Sequence, residues 1–261
     1  MRVELDLSKT IEKNAEYYYE KAKKAKRKIA GAELALKKTL DKLEKLSQED
    51  HEVKTLKKVE RKKRQWYEKF RWFISSEGFL CVGGRDATTN DIVVKKHLDK
   101  NDVVFHTESP GSPFFIIKSE SKKPGDITLN EAAQATASFS RAWRNKLAAT
   151  DVYSFSPDQI KKEFGLPKGA FMVYGKRNYF KPVVELAVGI TSDGVVMCGP
   201  HSAIRKNCAF DILLRPGNVK KSDVAKDVKR KFEHETTFKI ALDEVMQALP
   251  PGDCSIVKNH S

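Results

Sequence analysis

WYEKFRWFISSEGFLCVGGRDATTNDIVVKK, residues 66–96, is the stretch that decides the fold. In its first part Trp66, Phe70 and Phe73 continue a stripe begun by Leu56 and Val59, with Lys63 interrupting it. That spacing predicts a helix over 51–74. GFLCVGG then changes period and reads as a strand, Arg85–Asp91 as a turn, and DIVVKKHL as a second strand.

Working back from this stretch, residues 9–46 read as one long helix. Thr10 is its N-cap, although Lys13 replaces the acid that would complete a capping box. Ile11, Ala15, Tyr18, Ala22, Ala25, Ile29, Ala32, Leu36, Leu43 and Leu46, with Thr39 filling the one gap, recur at alternating steps of four and three, a heptad seam that predicts a coiled coil. Gly31 weakens its middle by about 1 kcal/mol relative to Ala. SQED at 47–50 breaks the pattern, and a short link between two helices favours an antiparallel hairpin. Residues 1–65 are therefore expected to form a basic coiled-coil hairpin, with RKKR at 61–64 on its second arm.

Working forward, DVVFHTE, PFFIIKS and DVYSFS read as strands, and TLNEAAQATASFSRAWRNKLAA as a helix with Thr128 as N-cap and Glu131 completing a capping box. GAFMVYGKRNYF and VVELAVGI are strand-like. Beyond them, SDGVVMCGPHSAI suggests a hairpin or a turn into a strand, AFDILLRPG a further strand, and Ser222 the cap of a basic helix before a second short one. The pattern gives an α+β fold: an N-terminal helical hairpin, then a mixed or antiparallel sheet domain with packed helices at 66–185, then a small α+β extension at 186–261.

Lys and Arg number 49 against 35 Asp and Glu, a formal net charge of +14. Residues 1–71 hold 22 of the cations and 13 of the acids, so more than half of the surplus sits on the first quarter. An excess of this size favours polyanions, because each phosphate neutralised releases counterions; dense charge serving solubility alone is the competing reading. Cys81, Cys198, Cys208 and Cys254 form no C-x-x-C pair, which argues for reduced thiols and against a zinc ribbon. MRVELDLSKT has no apolar signal region and no long apolar run follows, so a cytoplasmic chain without a membrane partner is expected.

Enzyme motifs are incomplete. GFLCVGGR lacks the Lys-Ser/Thr of a phosphate loop, His106-x-Glu108 lacks the matching P-C-x-x-C of a zinc deaminase, and Ser112 has no placed base. No metal and no other cofactor is expected. A hydrolase or nuclease would need Asp86, Asp91, His106 and Glu108 to converge. Basic residues instead recur beside aromatic ones: Arg64 with Trp66, Arg71 with Trp72, Arg141 and Arg144 with Trp143, and Lys176-Arg177 with Tyr179. Guanidinium groups hold phosphates and stack on bases, and exposed rings stack on unpaired bases. Trp66, Phe70, Phe73 and Trp143 are themselves expected in the core.

WYEKFRWFISSEGFLCVGGRDATTNDIVVKK, VVFHTESPGSPFFIIK, TLNEAAQATASFSRAW and GAFMVYGKRNY, taken in order over 66–181, resemble the NFACT-R domain of NFACT proteins. These are ribosome quality-control factors, and the basic coiled coil before the domain is similar to their middle hairpin. The part past 185 is similar to the extension of archaeal members. The resemblance implies a non-enzymatic RNA-binding module whose partners are the large ribosomal subunit, rRNA and tRNA. It does not extend to the family's N-terminal NFACT domain or helix-hairpin-helix module, where the tRNA-choosing residues lie, so tail synthesis by this chain alone is not expected. Arg85 and Asp86 of GGRDA, His106 and Lys118, and Lys176, Arg177 and Asn178 match the family motifs. The candidate nucleic-acid contacts are Arg64, Arg71, Arg85, Lys95, Lys96, His106, Lys118, Arg141, Arg144, Lys176, Arg177 and Asn178. The competing functional reading is a protein-interaction module in which the heptad seam docks a partner or forms a homodimer.

Overall fold

The structure, a computed structural model, describes residues 4–49, 65–120, 122–236 and 238–257. Helix α1 (Ile11–Glu49) is continuous over 39 residues, as the seam predicts. The Thr10 hydroxyl accepts from the Lys13 amide at 3.4 Å, and Asn14, buried, exchanges hydrogen bonds with the Asp6 main chain at 2.9 and 3.0 Å. Ile11, Ile29 and Leu36 of the seam are exposed. The expected second arm, with Leu56, Val59, the RKKR run and Arg64, lies outside the described residues.

The expected helix over 51–74 does not reach its end. Trp66–Lys69 is one 3-10 turn, and β1 (Arg71–Ile74) pairs antiparallel with β2 (Leu80–Gly83). The turn between them places Gly78 at φ +87, a conformation only glycine adopts freely. Phe70 and Phe73, three apart, mimic a helical stripe; in the extended chain they fall on opposite faces and fill different parts of the core. Gly83 and Gly84 mark close approach: a β-carbon on the first would clash with the Phe115 ring, and one on the second with the Asn90 side chain.

DIVVKKHL is a helix rather than the expected strand, α2 (Ala87–Lys96). Asp86 caps it, its carboxylate accepting from the Thr89 amide at 2.8 Å while the Thr89 hydroxyl accepts from the Asp86 amide at 2.9 Å. That reciprocal cap outweighs the strand preference of Ile92, Val93 and Val94, and Val93 is fully buried. Strands β3 (Val103–Thr107), β4 (Phe115–Ile117) and β5 (Val152–Phe155) follow the sequence reading. The helix expected over 128–149 is two: α3 (Asp126–Ser138) and α4 (Arg141–Arg144). Gly125, not Thr128, is the N-cap of α3. Thr128 is buried, donating to Glu77 and hydrogen-bonded to Ser75, and Glu131 is buried with the Ser76 amide and the Ser202 hydroxyl on its carboxylate at 2.8 and 2.6 Å.

GAFMVYGKRNYF supplies two short strands, β7 (Met172–Val173), paired with β6 (Ile160–Lys161), and β8 (Asn178–Phe180). The main sheet is antiparallel, in the order β1-β2-β4-β3-β5-β8. Both of its faces are covered. Phe73, Cys81, Phe105, Phe115, Ile117 and Val152 face one way; Val82, Val104, Ile116, Tyr153 and Phe155 face the other, with Phe70 and Val93. A second antiparallel sheet runs β10-β9-β11-β12, from β9 (Leu186–Ile190), β10 (Val196–Gly199), β11 (Phe210–Val219) and β12 (Cys254–Ile256). SDGVVMCG makes the expected hairpin, its turn joining β9 to β10, and HSAI opens a helix, α5 (His201–Asn207). Helices α6 (Lys221–Glu235) and α7 (Leu242–Ala248) are the two expected near the C-terminal end, with Lys220 rather than Ser222 at the N-cap of α6.

Helix α3 packs on β3, β4 and β5 of the first sheet and on β9 of the second. Its Ala132, Ala133, Ala135 and Ala137 are fully buried, and one apolar cluster runs from Phe73 and Trp143 to Phe232 and Cys254. The boundary expected at 185/186 therefore falls inside a continuous core. Trp143, fully buried, donates its indole N–H to the Asp253 carbonyl at 3.0 Å. Trp143→Ala is expected to cost about 3–5 kcal/mol in chemical denaturation. A chain ended at residue 185 loses more than half of this cluster and is expected to show no cooperative unfolding transition by circular dichroism.

Candidate nucleic-acid interface

The candidate cations divide by what holds them. Arg71 reaches across 176 or more residues of sequence to the end of α7, its Nη1 donating to the carbonyls of Gln247, Ala248 and Leu249 at 2.8, 3.0 and 2.6 Å. Arg85 donates to the same Gln247 carbonyl at 3.0 Å and to Glu68 and Phe70 at 3.3 and 2.8 Å. Lys221 donates to Leu249 at 3.0 Å. Three cations thus clasp one helix C-terminus, where carbonyls lack intrahelical partners. Burial, then the neighbouring Arg85, lowers the Arg71 guanidinium to about 10; burial, then Arg71, lowers the Lys221 ammonium to about 8. A cleft of about 1250 Å³ opens beside the clasp, walled in part by Trp66, Trp72, Phe139 and Phe238. Trp66, expected in the core, is 39% exposed and stacks on His97 at 4.2 Å.

Lys118 is also committed internally. Its ammonium is paired with Asp102, whose side chain is 1% exposed, and with Asp99 at 2.6 Å, and it donates to the His97 carbonyl at 2.8 Å. Arg71, Arg85 and Lys118 therefore hold the fold in this structure rather than standing free for phosphate. Arg141 and Arg144 are exposed on α4, Arg141 beside Gly111 and Arg144 beside Gly252. Asp86, Asp91, His106 and Glu108 serve separate contacts and do not converge: Asp86 caps α2, and Asp91 pairs with Lys95 at 2.6 Å. No cluster of three metal-ligating side chains occurs among the described residues.

Of the remaining candidates, His106 and Arg177 meet on one face of the main sheet. Across β3, β5 and β8, His106 lies opposite Tyr153 and Tyr153 opposite Tyr179, a row of three rings. Arg177 lies over the Tyr153 ring at 4.4 Å. Glu108 accepts from Arg177 at 3.3 Å and from the Tyr179 hydroxyl at 2.8 Å, and Tyr179 remains 61% exposed. His106 packs against Phe114 at 4.4 Å, its Nδ1 at 2.7 Å from the Thr107 carbonyl. Lys176 and Asn178 are exposed, and Gln159 holds the turn before them by donating to the Tyr174 and Lys176 carbonyls at 2.6 and 2.8 Å.

Residues 161–181, which build this face, contain six Lys or Arg and one acid, Glu163. Lys161, Lys162, Lys168 and the exposed rings of Phe164 and Tyr174 belong to it and were not singled out by sequence motifs; the local charge surplus was the available signal. The loop joins α2, because Asp91 accepts from the Gly169 amide at 2.9 Å and lies 3.9 Å from the Lys162 ammonium. Lys95, paired with the same Asp91, lies at this junction, and Lys96 is exposed beside it in the last turn of α2.

Residues 69–175 match the family described as NFACT protein RNA binding domain. The archaeal Rqc2 homolog aRqcH of Methanocaldococcus jannaschii is 40% identical over 211 residues, 78% of this chain and 31% of that protein. This chain carries an NFACT-R domain of archaeal type. The ribosome quality control complex subunit NEMF homolog of Drosophila melanogaster is 36% identical, over 72% of this chain and 20% of that protein. Ribosome quality control complex subunit 2 of Schizosaccharomyces pombe is 34% identical, over 70% of this chain and 19% of that protein. The chain spans about a third or less of the length of these relatives. Among solved structures, the C-terminal part of the fibronectin/fibrinogen-binding protein from Streptococcus suis matches at TM-score 0.40 and 21% identity, covering 49% of this chain and 50% of that one, a likeness too low to carry a conclusion.

The matched NFACT-R span closes at Gly175, so β8 with Arg177, Asn178 and Tyr179 completes the sheet just beyond it. Inside the span, burial pushes His106 down to about 4, against weaker upward effects of the Thr107 carbonyl and Glu108. A histidine held neutral on folding binds fewer protons than it does unfolded, so stability is retained above its ordinary value near 6.5 and falls as the pH drops towards 4. His106→Phe is expected to flatten the stability-versus-pH curve between those values in denaturant titrations.

Proposed function

We propose that this chain is a non-enzymatic RNA-binding module of a ribosome-associated quality-control factor, acting in the cytoplasm on the large ribosomal subunit through rRNA or tRNA. The observation that carries the reading is the segment 161–181, which holds six cations and one acid and is tied to α2 through Asp91, the partner of Lys95. The RNA-binding description of the matched family and the quality-control names of the relatives support it. No helix among the described residues is long and apolar enough to cross a membrane.

Lys168 and Lys176 are the freest cations for phosphate contact, whereas Lys162 is spent on the Pro167 and Ala170 carbonyls at 2.7 and 2.9 Å and Arg177 on Tyr153 and Glu108. Phosphate contacts make affinity fall steeply with salt, with a slope set by the number of phosphates neutralised. Lys168→Ala and Lys176→Ala are each expected to weaken RNA binding and to lower the log affinity–log salt slope by about 1, measured by anisotropy across a salt series. The pair Lys226→Ala and Arg230→Ala on α6 is the control. Equal losses from both pairs would remove the 161–181 face as the contact.

A further inference from the structure

The loop between β6 and β7 holds its backbone tightly and its phenylalanine loosely. Lys162 ties the Pro167 and Ala170 carbonyls, the Ala170 amide donates to Pro167 at 3.1 Å, and the Gly169 amide donates to Asp91 at 2.9 Å. Gly165, at φ +83, sets the tip. Within this tethered loop the Phe164 ring is fully solvated, with a relative exposure of 108%, while Phe171 of the same loop packs on Phe114 at 5.5 Å. Lys161 and Lys162 precede Phe164, and Lys168 follows it by four residues. Tyr174, 43% exposed, stands under Lys161 at 5.9 Å, and Tyr179 is more exposed still.

An isolated surface phenylalanine needs no explanation. This one is held out by a preorganised loop, among cations, on a face with two further exposed rings. A π-face beside ammonium groups matches an unpaired base joined to its phosphates, because stacking is indifferent to base identity and needs only that the base be out of a helix. A fully paired duplex offers no base face in its interior, and an apolar protein pocket has no use for the exposed lysines, Lys161 and Lys168, that flank the ring in sequence.

We infer that Phe164 stacks on an unpaired base, so that this face selects RNA with single-stranded or looped nucleotides over duplex RNA. The inference rests on the RNA-binding reading above and adds the class of RNA. Lys161 and Lys168 contact the phosphates, and Phe164 takes the base.

The test compares the full chain on two RNAs with equal numbers of phosphates, a hairpin with an unpaired loop and a blunt duplex, by fluorescence anisotropy at one salt concentration. The wild type should prefer the looped RNA. Phe164→Ala should lose roughly 5- to 150-fold in affinity for it while duplex binding and the thermal midpoint stay unchanged. Phe164→Trp should restore the preference. Unchanged binding of both RNAs by Phe164→Ala overturns the inference while leaving the RNA-binding reading intact; so does a loss that Phe164→Trp fails to restore. Intact RNA binding by Phe164→Ala with lost capture of purified ribosomal proteins overturns it in favour of protein docking. If the wild type binds neither RNA in a salt-dependent way, the inference falls with the reading on which it rests.

Discussion

Helix α3 is a wedge of small side chains between two sheets, and the order of everything after residue 65 depends on its being there. Alanine at 132, 133, 135 and 137 lets strands approach closely on both sides, and the polar groups left at its edges are all answered. Gln134 donates to the Glu185 carbonyl at 3.0 Å, Ser138 exchanges bonds with the Glu185 main chain, and Glu131 gathers the β1–β2 turn and α5. A larger side chain at any of these alanines would push the sheets apart, and an unmet carboxylate at 131 would leave a buried charge. Because the wedge touches both sheets, the segment carrying the basic face and the C-terminal segment stabilise one another.

The cationic surplus is thereby split into two kinds of work. Arg71, Arg85, Lys118 and Lys221 face inward, onto carbonyls or buried carboxylates, and they lock α7 and the loop around Asp102 to the main sheet. Lys161, Lys168, Lys176 and Lys181, with Lys95 and Lys96 in the last turn of α2, are exposed. Basic charge on this chain is first a means of joining helix ends to strands and only then a surface for a polyanion.

Much of this was legible in the sequence, for identifiable reasons. The heptad of α1 and the apolar runs of β3, β4 and β5 signal their structure locally, and the ordered motifs from Trp66 to Tyr179 carried the family. Helix α2 was hidden because its β-branched run resembles a strand and its cap is made by Asp86 and Thr89, residues equally at home in a turn. The start of α3 is obscured in the sequence because Gly125 offers no capping side chain while Thr128 and Glu131 imitate a capping box and spend their polar groups on the β1–β2 turn and α5. Arg71 and Arg85 look like phosphate contacts in the sequence because an arginine bound to carbonyls more than 160 residues away has the same sequence context as one bound to a nucleotide. Charge counts give the amount of positive charge; only the tertiary structure assigns each cation its acceptor.

The crowding of like charges on 161–181 has a consequence for the solvent around it. Six cations on one short segment repel one another, and dissolved anions relieve that repulsion. Those anions are also the ones a polynucleotide would have to displace. Ionic strength therefore acts on the segment with opposite signs: added electrolyte firms the empty loop and loosens its grip on a polyanion, and a bound strand takes over the neutralising work of the ions it expels.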